Sequence, residues 1–440
     1  DGEREAAPPK PTGPVGRAAA LCLDVVHWSY RFGFARRCYA AIPEPLRDRA
    51  RRPLERIAGR LPPPTRESAQ GINLVGYAHG EFGVAEILRR FAHTLHDGGV
   101  PFVVRNFDTG VASRQDDRSM QRFLSDACRH DVNLFCINAD QMPVARRQLG
   151  DAVFGGRYNI GCWFWELEKF PDEWHGALDL VDEVWATSAF VRDAIAACTD
   201  KPVRIVPVAL DVEPPAHVSR DAFDLPQDAF VCLFSFDFNS FVVRKNAHGA
   251  IAAFRRAFAD GRRGVRLVIK TTNGERFPDA LRRLVDAAGG DDRIDVRDGF
   301  LDRAGMTALQ ACCDCYVSLH RSEGLGLGMA ECMLLGKPVV ATAYSGNLAF
   351  MDADNSCLVD YALIPVNEGE YPAWQGQRWA EPDVDQAAAY LKRLADDPDY
   401  ARRIGERGRA SVRQRLSTDA SLAAITARLA QIRALRTGGS

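Results

Sequence analysis

From residue 71 onward, the chain alternates between short, almost uniformly apolar runs and longer segments whose apolar positions recur at helical spacing. Strands that are apolar on both faces are typical of a parallel sheet with helices on either side. Helical segments such as 81–97 connect such strands by right-handed crossovers. The runs that predict a first sheet are 72–76, 102–106, 132–138, 158–164, 183–186 and 203–206.

A second series of apolar runs alternating with helical segments begins at residue 230. The proline-containing segment 211–226 has no strong periodicity and predicts a hinge. We therefore expect two Rossmann-like, doubly wound α/β domains, 69–212 and 213–415, that face each other across a cleft. A C-terminal helix over 416–440 is able to cross back to the first domain. The predicted strands are 230–236, 265–270, 293–297, 315–319, 338–341 and 356–359, and the predicted helices are 247–259, 279–287, 303–311, 329–335, 384–395 and the long region 399–433.

Residues 1–68 differ from the rest and predict a disordered tail followed by a basic helical extension. Residues 31–66 hold ten arginines and only three acidic residues. The helical segment 46–61 has two interpretations: it lies on an anionic membrane surface near a lipid-linked acceptor, or it packs on the first domain with its arginines in water. The chain begins at Asp1 rather than Met, which is compatible with a processed or excised piece.

Composition excludes several classes of protein. A formal net charge of −2 over 440 residues gives no basis for nucleic-acid binding. No run of 18 apolar residues exists to span a membrane. The cysteines are scattered through apolar runs, which favours a reduced, cytoplasmic protein, peripheral at the inner face of the membrane if the basic helix binds there. The cluster Cys312, Cys313 and Cys315 predicts buried packing rather than a metal site.

A glycine-rich turn between a predicted strand and a predicted helix is the first candidate for chemistry. Gly324, Gly326 and Gly328 let backbone approach a ligand closely, and the helix that follows offers N–H groups that suit a phosphate. Glu331 lies in this apolar helix, where a carboxylate is costly unless it binds something such as a ribose diol. Glu323 lies in the turn, within reach of a sugar hydroxyl. The alternative is a tight turn with incidental acids.

The spacing of Glu323 and Glu331 is the E-x7-E pattern, and the run 322–327 with Ala330-Glu331 resembles the signature of retaining glycosyltransferase family 4, of the bacterial cell-surface polysaccharide type. Residues 336–342 and 345–347 fit that family too. The resemblance runs from residue 71 to the C-terminus and is more specific in the second half. It implies a GT-B fold, transfer with retained anomeric configuration, no metal and no cofactor. By resemblance Glu323 contacts the donor sugar and Glu331 the nucleotide ribose.

Two adjacent cations, Arg244 and Lys245, follow the predicted strand 230–236 and open the next predicted helix. They suit a diphosphate leaving group, whose stabilisation without metal requires Arg, Lys and N–H donors. By resemblance Lys245 is the family's lysine. The family's Gly-Arg pair at the strand end is absent, with Asp237 near its place, so Arg244 is a candidate substitute. The alternative is a solvated pair, although cations at a helix start oppose the dipole.

The resemblance adds further contacts to the donor, mostly through backbone groups at strand ends. The loop after the first strand, with Gly80 and Gly83, lacks G-x-G-x-x-G and so is not a dinucleotide fingerprint. The expected donor-binding residues besides Glu331 are Gly324, Leu325, Gly326, Leu327, Ser235, Lys270, Thr271, Gly299, Phe300, Gly80 and Gly83.

Candidate acceptor residues lie in the first half. His79 or Glu81 is placed to position an acceptor hydroxyl, and Asp140 follows another strand. Trp165 and Glu166 belong to a dense aromatic run, for which sugar stacking and core packing are the two interpretations. No acceptor-side base is assigned, because retention allows the departing phosphate to take the proton. The D-x-D run 352–354 predicts a polar turn rather than a metal site.

The expected function is transfer of a hexose from a nucleotide sugar to a glycan or lipid-linked acceptor in cell-surface polysaccharide synthesis. GDP-mannose is a frequent donor in the resembled family, while the residues themselves indicate no base, sugar, acceptor or oligomeric state. The alternatives are another GT-B sugar-nucleotide enzyme, an epimerase or a phosphorylase, and a catalytically silent GT-B binding module. The presence of Glu323, Lys245 and Glu331 together argues against the silent module.

Overall fold

A computed structural model describes residues 71–110 and 113–437, so the predicted basic helix 46–61 lies outside the described residues. The first domain contains a six-stranded parallel sheet in the order β2-β1-β3-β4-β5-β6. Its strands are β1 (Ile72–Gly76), β2 (Phe102–Asn106), β3 (Val132–Cys136), β4 (Tyr158–Cys162), β5 (Glu183–Ala186) and β6 (Val203–Ile205), and its helices are α1 (Gly83–Asp97), α2 (Met142–Phe154) and α3 (Ala189–Ala196).

The second domain repeats this architecture with a parallel sheet in the order β12-β11-β10-β7-β8-β9. Its strands are β7 (Phe230–Asp237), β8 (Val265–Thr272), β9 (Ile294–Asp298), β10 (Cys315–Ser318), β11 (Val339–Thr342) and β12 (Cys357–Val359). Its helices are α4 (Val242–Lys245), α5 (Ala247–Ala257), α6 (Pro278–Ala288), α7 (Arg303–Cys312) and α8 (Leu327–Leu334).

The strands form where the sequence is apolar on both faces. Every residue of β1, β3, β5, β10 and β11 is buried. Parallel pairing in register, for example Leu74 with Leu134, places the carboxyl ends of neighbouring strands at one edge of each sheet. In this architecture, ligands bind outside that edge. Every predicted strand is present, and the differences from prediction are shifts of one or two residues at strand ends.

An antiparallel hairpin follows β12 and was not predicted. Its strands are β13 (Tyr361–Pro365) and β14 (Arg378–Pro382), joined by the loop 366–377. β13 is apolar in sequence, but most of its side chains are exposed, unlike those of the strands in the two parallel sheets. We call residues 361–382 the bridging hairpin.

The C-terminal region is three helices, α9 (Val384–Asp396), α10 (Pro398–Arg415) and α11 (Thr418–Thr437). The predicted single region 399–433 is thus divided, because the chain leaves helical geometry at Leu416. Among the described residues, no helix has the length and apolar character needed to cross a membrane.

Helix α11 returns to the first domain, where a buried ion pair holds it. The Nε of Arg428 lies 2.9 Å from Oε2 of Glu183, a residue of β5 with no exposed surface. Tyr158 and Trp185 also donate hydrogen bonds to this carboxylate, at 3.1 and 2.7 Å. Glu183 is a charge inside an apolar sheet, and Arg428 compensates it.

We predict that Arg428→Met lowers the free energy of unfolding by about 3–5 kcal/mol, because it leaves the buried Glu183 carboxylate with only the half-exposed Arg204, 3.6 Å away, as its cation. Urea denaturation followed by tryptophan fluorescence measures this loss. Arg413→Met on α10 is the matched control, since Arg413 is exposed and a surface change there should stay within about 0.5 kcal/mol. Equal stability of the Arg428 variant and the wild type would contradict the assignment.

Candidate active site

The turn between β10 and α8 is held in shape by residues that follow β11. The Gly346 N–H donates to the Glu323 carbonyl at 2.8 Å, and the Glu323 N–H donates to the Ser345 hydroxyl at 2.8 Å. A Cβ on Gly346 would lie 2.1 Å from the Gly324 carbonyl oxygen. Ser345 has φ of +77°, a strained value for a residue with a side chain. The close approach of these two loops therefore requires glycine at 346.

Glu323 lies at the centre of a buried ion cluster. Its Oε1 is 2.5 Å from the Lys245 Nζ, and its Oε2 is 3.3 Å from an Arg244 terminal nitrogen. Burial alone would raise the pKa of Glu323, but Lys245 and Arg244 outweigh burial and lower this pKa to about 2. Burial lowers the pKa of Lys245, which Glu323 opposes. One carboxylate therefore balances two adjacent cations.

The local backbone brings both cations to the turn. They end the one-turn helix α4 and directly precede Asn246, the N-cap of α5, so they stand just before the predicted helix and do not belong to its first turn. The turn is possible because Asn246 adopts the left-handed conformation with φ of +55° and caps α5 through Gly249 N–H. The Asn246 amide donates to the Leu319 carbonyl at 2.8 Å, and Arg244 donates to the Ser322 carbonyl at 2.7 Å. These bonds attach α4 directly to the end of β10.

Glu331 is the fifth residue of α8 and has its own partners. Its Oε1 is 3.0 Å from Arg303, and its Oε2 accepts a hydrogen bond from Gln310 at 3.1 Å. Burial raises the pKa of Glu331, an effect that Arg303 opposes. Glu323 is buried and Glu331 is partly exposed, and each is compensated by a different set of basic side chains.

The turn and α8 face the first domain directly. The Ser188 hydroxyl donates to the Gly324 carbonyl at 2.8 Å, and the Ser322 hydroxyl donates to the Glu166 carbonyl. Glu86 of α1 accepts a hydrogen bond from Arg303 at 3.2 Å, which links α1 to the partner of Glu331. The two acids of the E-x7-E pattern therefore lie at the seam between the domains.

The predicted base-pocket residues end β8 and β9. Lys270 donates to the Thr271 carbonyl at 2.7 Å and to the Gly299 carbonyl, so its ammonium is held by backbone oxygens. Phe300 is 55% exposed, with the Arg114 guanidinium 4.6 Å from its ring centroid. An exposed ring beside a strand end is available to contact a flat ligand.

Other predicted donor residues are less open. Ser235 is hydrogen-bonded to the Tyr316 hydroxyl at 2.9 Å. Leu325 is buried, and Leu327 is the first residue of α8, just after Gly326 with its φ of +92°.

The loop after β1 is tied to the segment that follows β2. The His79 Nδ1 lies 2.8 Å from the Asp117 carbonyl oxygen, and Glu81 lies 3.6 Å from Arg114. Gly80 is buried and its carbonyl accepts a hydrogen bond from Arg89, whereas Gly83 begins α1 with open space around it. His79 and Glu81 are thus both held by neighbours in the first domain.

The aromatic run needs a correction. Trp165 is 1% exposed and its indole N–H donates to the Lys169 carbonyl at 2.7 Å, so its ring packs in the core and is not available to stack on a sugar. Trp163 is buried as well, so packing accounts for both indoles. Glu166 is half-buried and accepts a hydrogen bond from the Tyr371 hydroxyl at 2.5 Å. Asp140 is exposed and bonds its neighbour Gln141.

Tyr371 is a site residue that the sequence interpretation missed. It lies in the loop of the bridging hairpin, far along the chain from every motif. The one signal was the concentration of aromatic residues at Tyr371, Trp374 and Trp379, which carries no period of 2 or 3.6.

We predict that Gly346→Ala lowers the free energy of unfolding by about 1–3 kcal/mol, because the added methyl group overlaps the Gly324 carbonyl. Thermal and urea denaturation measure the change. Gly176→Ala is the control, since a Cβ at Gly176 meets no atom within 4 Å. An unchanged midpoint for the Gly346 variant would show that the two loops are not packed as described.

Comparisons with known proteins agree with this geometry. Residues 236–411 match the family described as glycosyl transferases group 1. A 138-residue segment, 31% of this chain, is 26% identical to trehalose synthase of Rubrobacter xylanophilus and spans 28% of the length of that protein.

Two solved structures are similar over most of the chain. The crystal structure of Anabaena HepE in complex with UDP and glucose has a TM-score of 0.61 and 16% identity, covering 82% of this chain and 100% of that one. Sucrose-phosphate synthase from Thermosynechococcus elongatus has a TM-score of 0.59 and 16% identity, covering 84% and 100%. The chain therefore has the GT-B fold, and residues 236–411 in its second domain are similar to the glycosyl transferases group 1 family.

Proposed function

We propose that this protein is a retaining, metal-independent glycosyltransferase that moves a hexose from a nucleotide sugar to an acceptor hydroxyl. The observation that carries the proposal is the ion cluster of Glu323, Lys245 and Arg244 beside a glycine-rich turn at the domain seam. Departure of a nucleoside diphosphate creates negative charge, and two positioned cations stabilise that charge without a metal. The group 1 match over the same residues supports this chemistry.

The ion cluster suggests how the donor is held. Arg244 is buried and Lys245 is mostly buried, and Glu323 is the acid that balances them in the free protein. A diphosphate offers them a second anion, so that Glu323 is released to accept a hydrogen bond from a hydroxyl of the donor hexose. Gly324 and Gly326 leave room for that approach, and the start of α8 supplies N–H groups to phosphate.

Glu331 is the proposed ribose contact. Its carboxylate is oriented by Arg303 and Gln310, at 3.0 and 3.1 Å, and a carboxylate held in this way is suited to accept hydrogen bonds from a diol. We assign the base to the strand ends that carry Lys270 and Phe300. The HepE structure binds UDP and glucose, whereas GDP-mannose is frequent in the family resembled by the sequence, so both donors belong in the test.

The acceptor class is a glycan or a lipid-linked sugar of cell-surface polysaccharide synthesis. We propose that it enters from the first domain, past Glu166 and the loop that holds His79 and Glu81. The protein would then act in the cytoplasm, at the inner face of the membrane if the basic segment 46–61 binds anionic lipid.

Release of nucleoside diphosphate from a panel of UDP-, GDP- and ADP-hexoses tests the proposal. We expect release with one donor, and transfer with retained configuration at the sugar carbon, read by NMR. Release of no diphosphate from any donor, together with normal nucleotide binding, would favour the silent binding module. Isomerised nucleotide sugar without release would favour an epimerase.

We predict that Lys245→Met lowers kcat by about 100-fold while donor Kd changes by less than about tenfold, because the charge of the leaving group grows in the transition state. Steady-state kinetics and calorimetric titration of the donor separate the two effects. Lys392→Met on α9 is the control, since Lys392 pairs with Asp396 on the surface. Equal losses in kcat and in donor affinity would argue against a role for Lys245 in charge stabilisation.

A further inference from the structure

We infer that the bridging hairpin forms one wall of the acceptor site and that Tyr371 is a positioning residue that aims the Glu166 carboxylate at a neutral acceptor hydroxyl. This inference rests on the proposed function and assigns the acceptor side of the same site. The hairpin belongs to the second domain by sequence, but its loop also contacts the first domain.

The hairpin is fixed at both of its ends. At its base, the Ala380 N–H donates to the Arg321 carbonyl at 3.0 Å, and the Arg321 Nε donates to Glu381 at 2.8 Å. Across the seam, the Gln377 amide donates to the Lys169 carbonyl at 2.7 Å, and the Lys169 N–H donates back to the amide oxygen at 3.1 Å. A loop held by this reciprocal pair is placed accurately enough to position a side chain.

Tyr371 is the side chain that this loop inserts toward the ion cluster. It is buried, with its ring 4.8 Å from the Phe241 ring and 5.5 Å from the Trp165 ring, centroid to centroid. The Arg244 guanidinium lies 5.8 Å from its ring centroid, within the range of a cation–π contact. Tyr371 therefore contacts one of the two proposed diphosphate-binding cations with its ring.

The Tyr371 hydroxyl is hydrogen-bonded to the Glu166 carboxylate. It donates to Glu166 Oε2 at 2.5 Å, which occupies one carboxylate oxygen and restricts rotation of the group. The other oxygen, Oε1, faces the glycine-rich turn, since a Cβ on Gly324 would lie 3.8 Å from it. Glu166 thus presents one oxygen beside the residue that follows Glu323, where the donor sugar is proposed to bind.

The chemistry of this wall selects a class of acceptor. A carboxylate oxygen accepts a hydrogen bond from a hydroxyl and repels phosphate or carboxylate groups. The two cations nearest to it are already shared with Glu323 and assigned to the leaving diphosphate. The reacting group is therefore the hydroxyl of an uncharged sugar, so any charged part of the acceptor must lie away from Glu166.

A double-mutant cycle tests the inference. Wild type, Tyr371→Phe, Glu166→Gln and the double variant are compared with the active donor, using neutral p-nitrophenyl hexosides as acceptors and the same hexosides carrying a 6-phosphate. The measured quantity is the ratio of transfer to donor hydrolysis. Tyr361→Phe is the matched control, because it removes the same atom from an exposed tyrosine of the same hairpin.

We expect Tyr371→Phe to lower the ratio by about tenfold, the usual effect of losing one hydrogen bond to a charged group. Glu166→Gln should lower it at least as much, and the double variant should show no further loss, because both changes act on one interaction. Neutral hexosides should be the better acceptors, and Tyr361→Phe should match the wild type.

An unchanged ratio in Tyr371→Phe, additive losses in the double variant, or transfer only to the phosphorylated hexosides would overturn the inference. If Tyr371→Phe does not fold, the Glu166→Gln variant provides the test. An unchanged ratio of transfer to hydrolysis in Glu166→Gln would refute the role of the carboxylate. If the wild type releases no diphosphate with any donor, the proposed function fails as well. If the wild type is active but the variants leave the ratio unchanged, only the present inference fails.

Discussion

The buried carboxylate of Glu323, placed between Lys245 and Arg244, is the interaction on which the second domain's site depends. Without an anion, two adjacent cations in an apolar region would be expelled, or the lysine would lose its proton. Removing one partner from such a cluster typically costs about 3–5 kcal/mol. The cluster therefore constrains the chain at three places together: the end of α4, the end of β10 and the turn before α8. In the proposed function, the Glu323 carboxylate occupies the place of the incoming diphosphate until the donor binds.

The same constraint explains why unusual backbone collects around this point. Phe241, Asn246 and Ser345 all have positive φ although none is glycine, and each lies in a loop that adjoins the cluster. Strained conformations of this kind persist when surrounding contacts over-determine them. Here the contacts are hydrogen bonds between loops, such as Asn246 to the Leu319 carbonyl and Glu323 N–H to Ser345. These hydrogen bonds stabilise the strained loops and thereby fix the positions of the charged groups.

The sequence was sufficient to predict what depends on periodicity and local pattern. Both sheets and the glycine-rich turn follow from apolar runs and glycine spacing, so the strand ends that carry Glu323 and Lys270 could be located. It was not sufficient where the outcome depends on contacts between distant segments. Trp165 looked like a ligand platform because nothing in its local sequence shows that Tyr371, 206 positions later, packs against it. The sequence also did not show that Arg244 and Lys245 end a separate one-turn helix. That break depends on the left-handed conformation of Asn246, which local propensity does not indicate.

The decisive experiment is a crystal structure of the protein with a nucleoside diphosphate. We expect the phosphates within hydrogen-bonding distance of the Lys245 ammonium and the Arg244 guanidinium, next to Gly324 and Gly326, with the Glu323 carboxylate drawn away from Lys245. A nucleotide bound with its phosphates elsewhere, while the pair of Lys245 and Glu323 remains intact, would contradict this expectation.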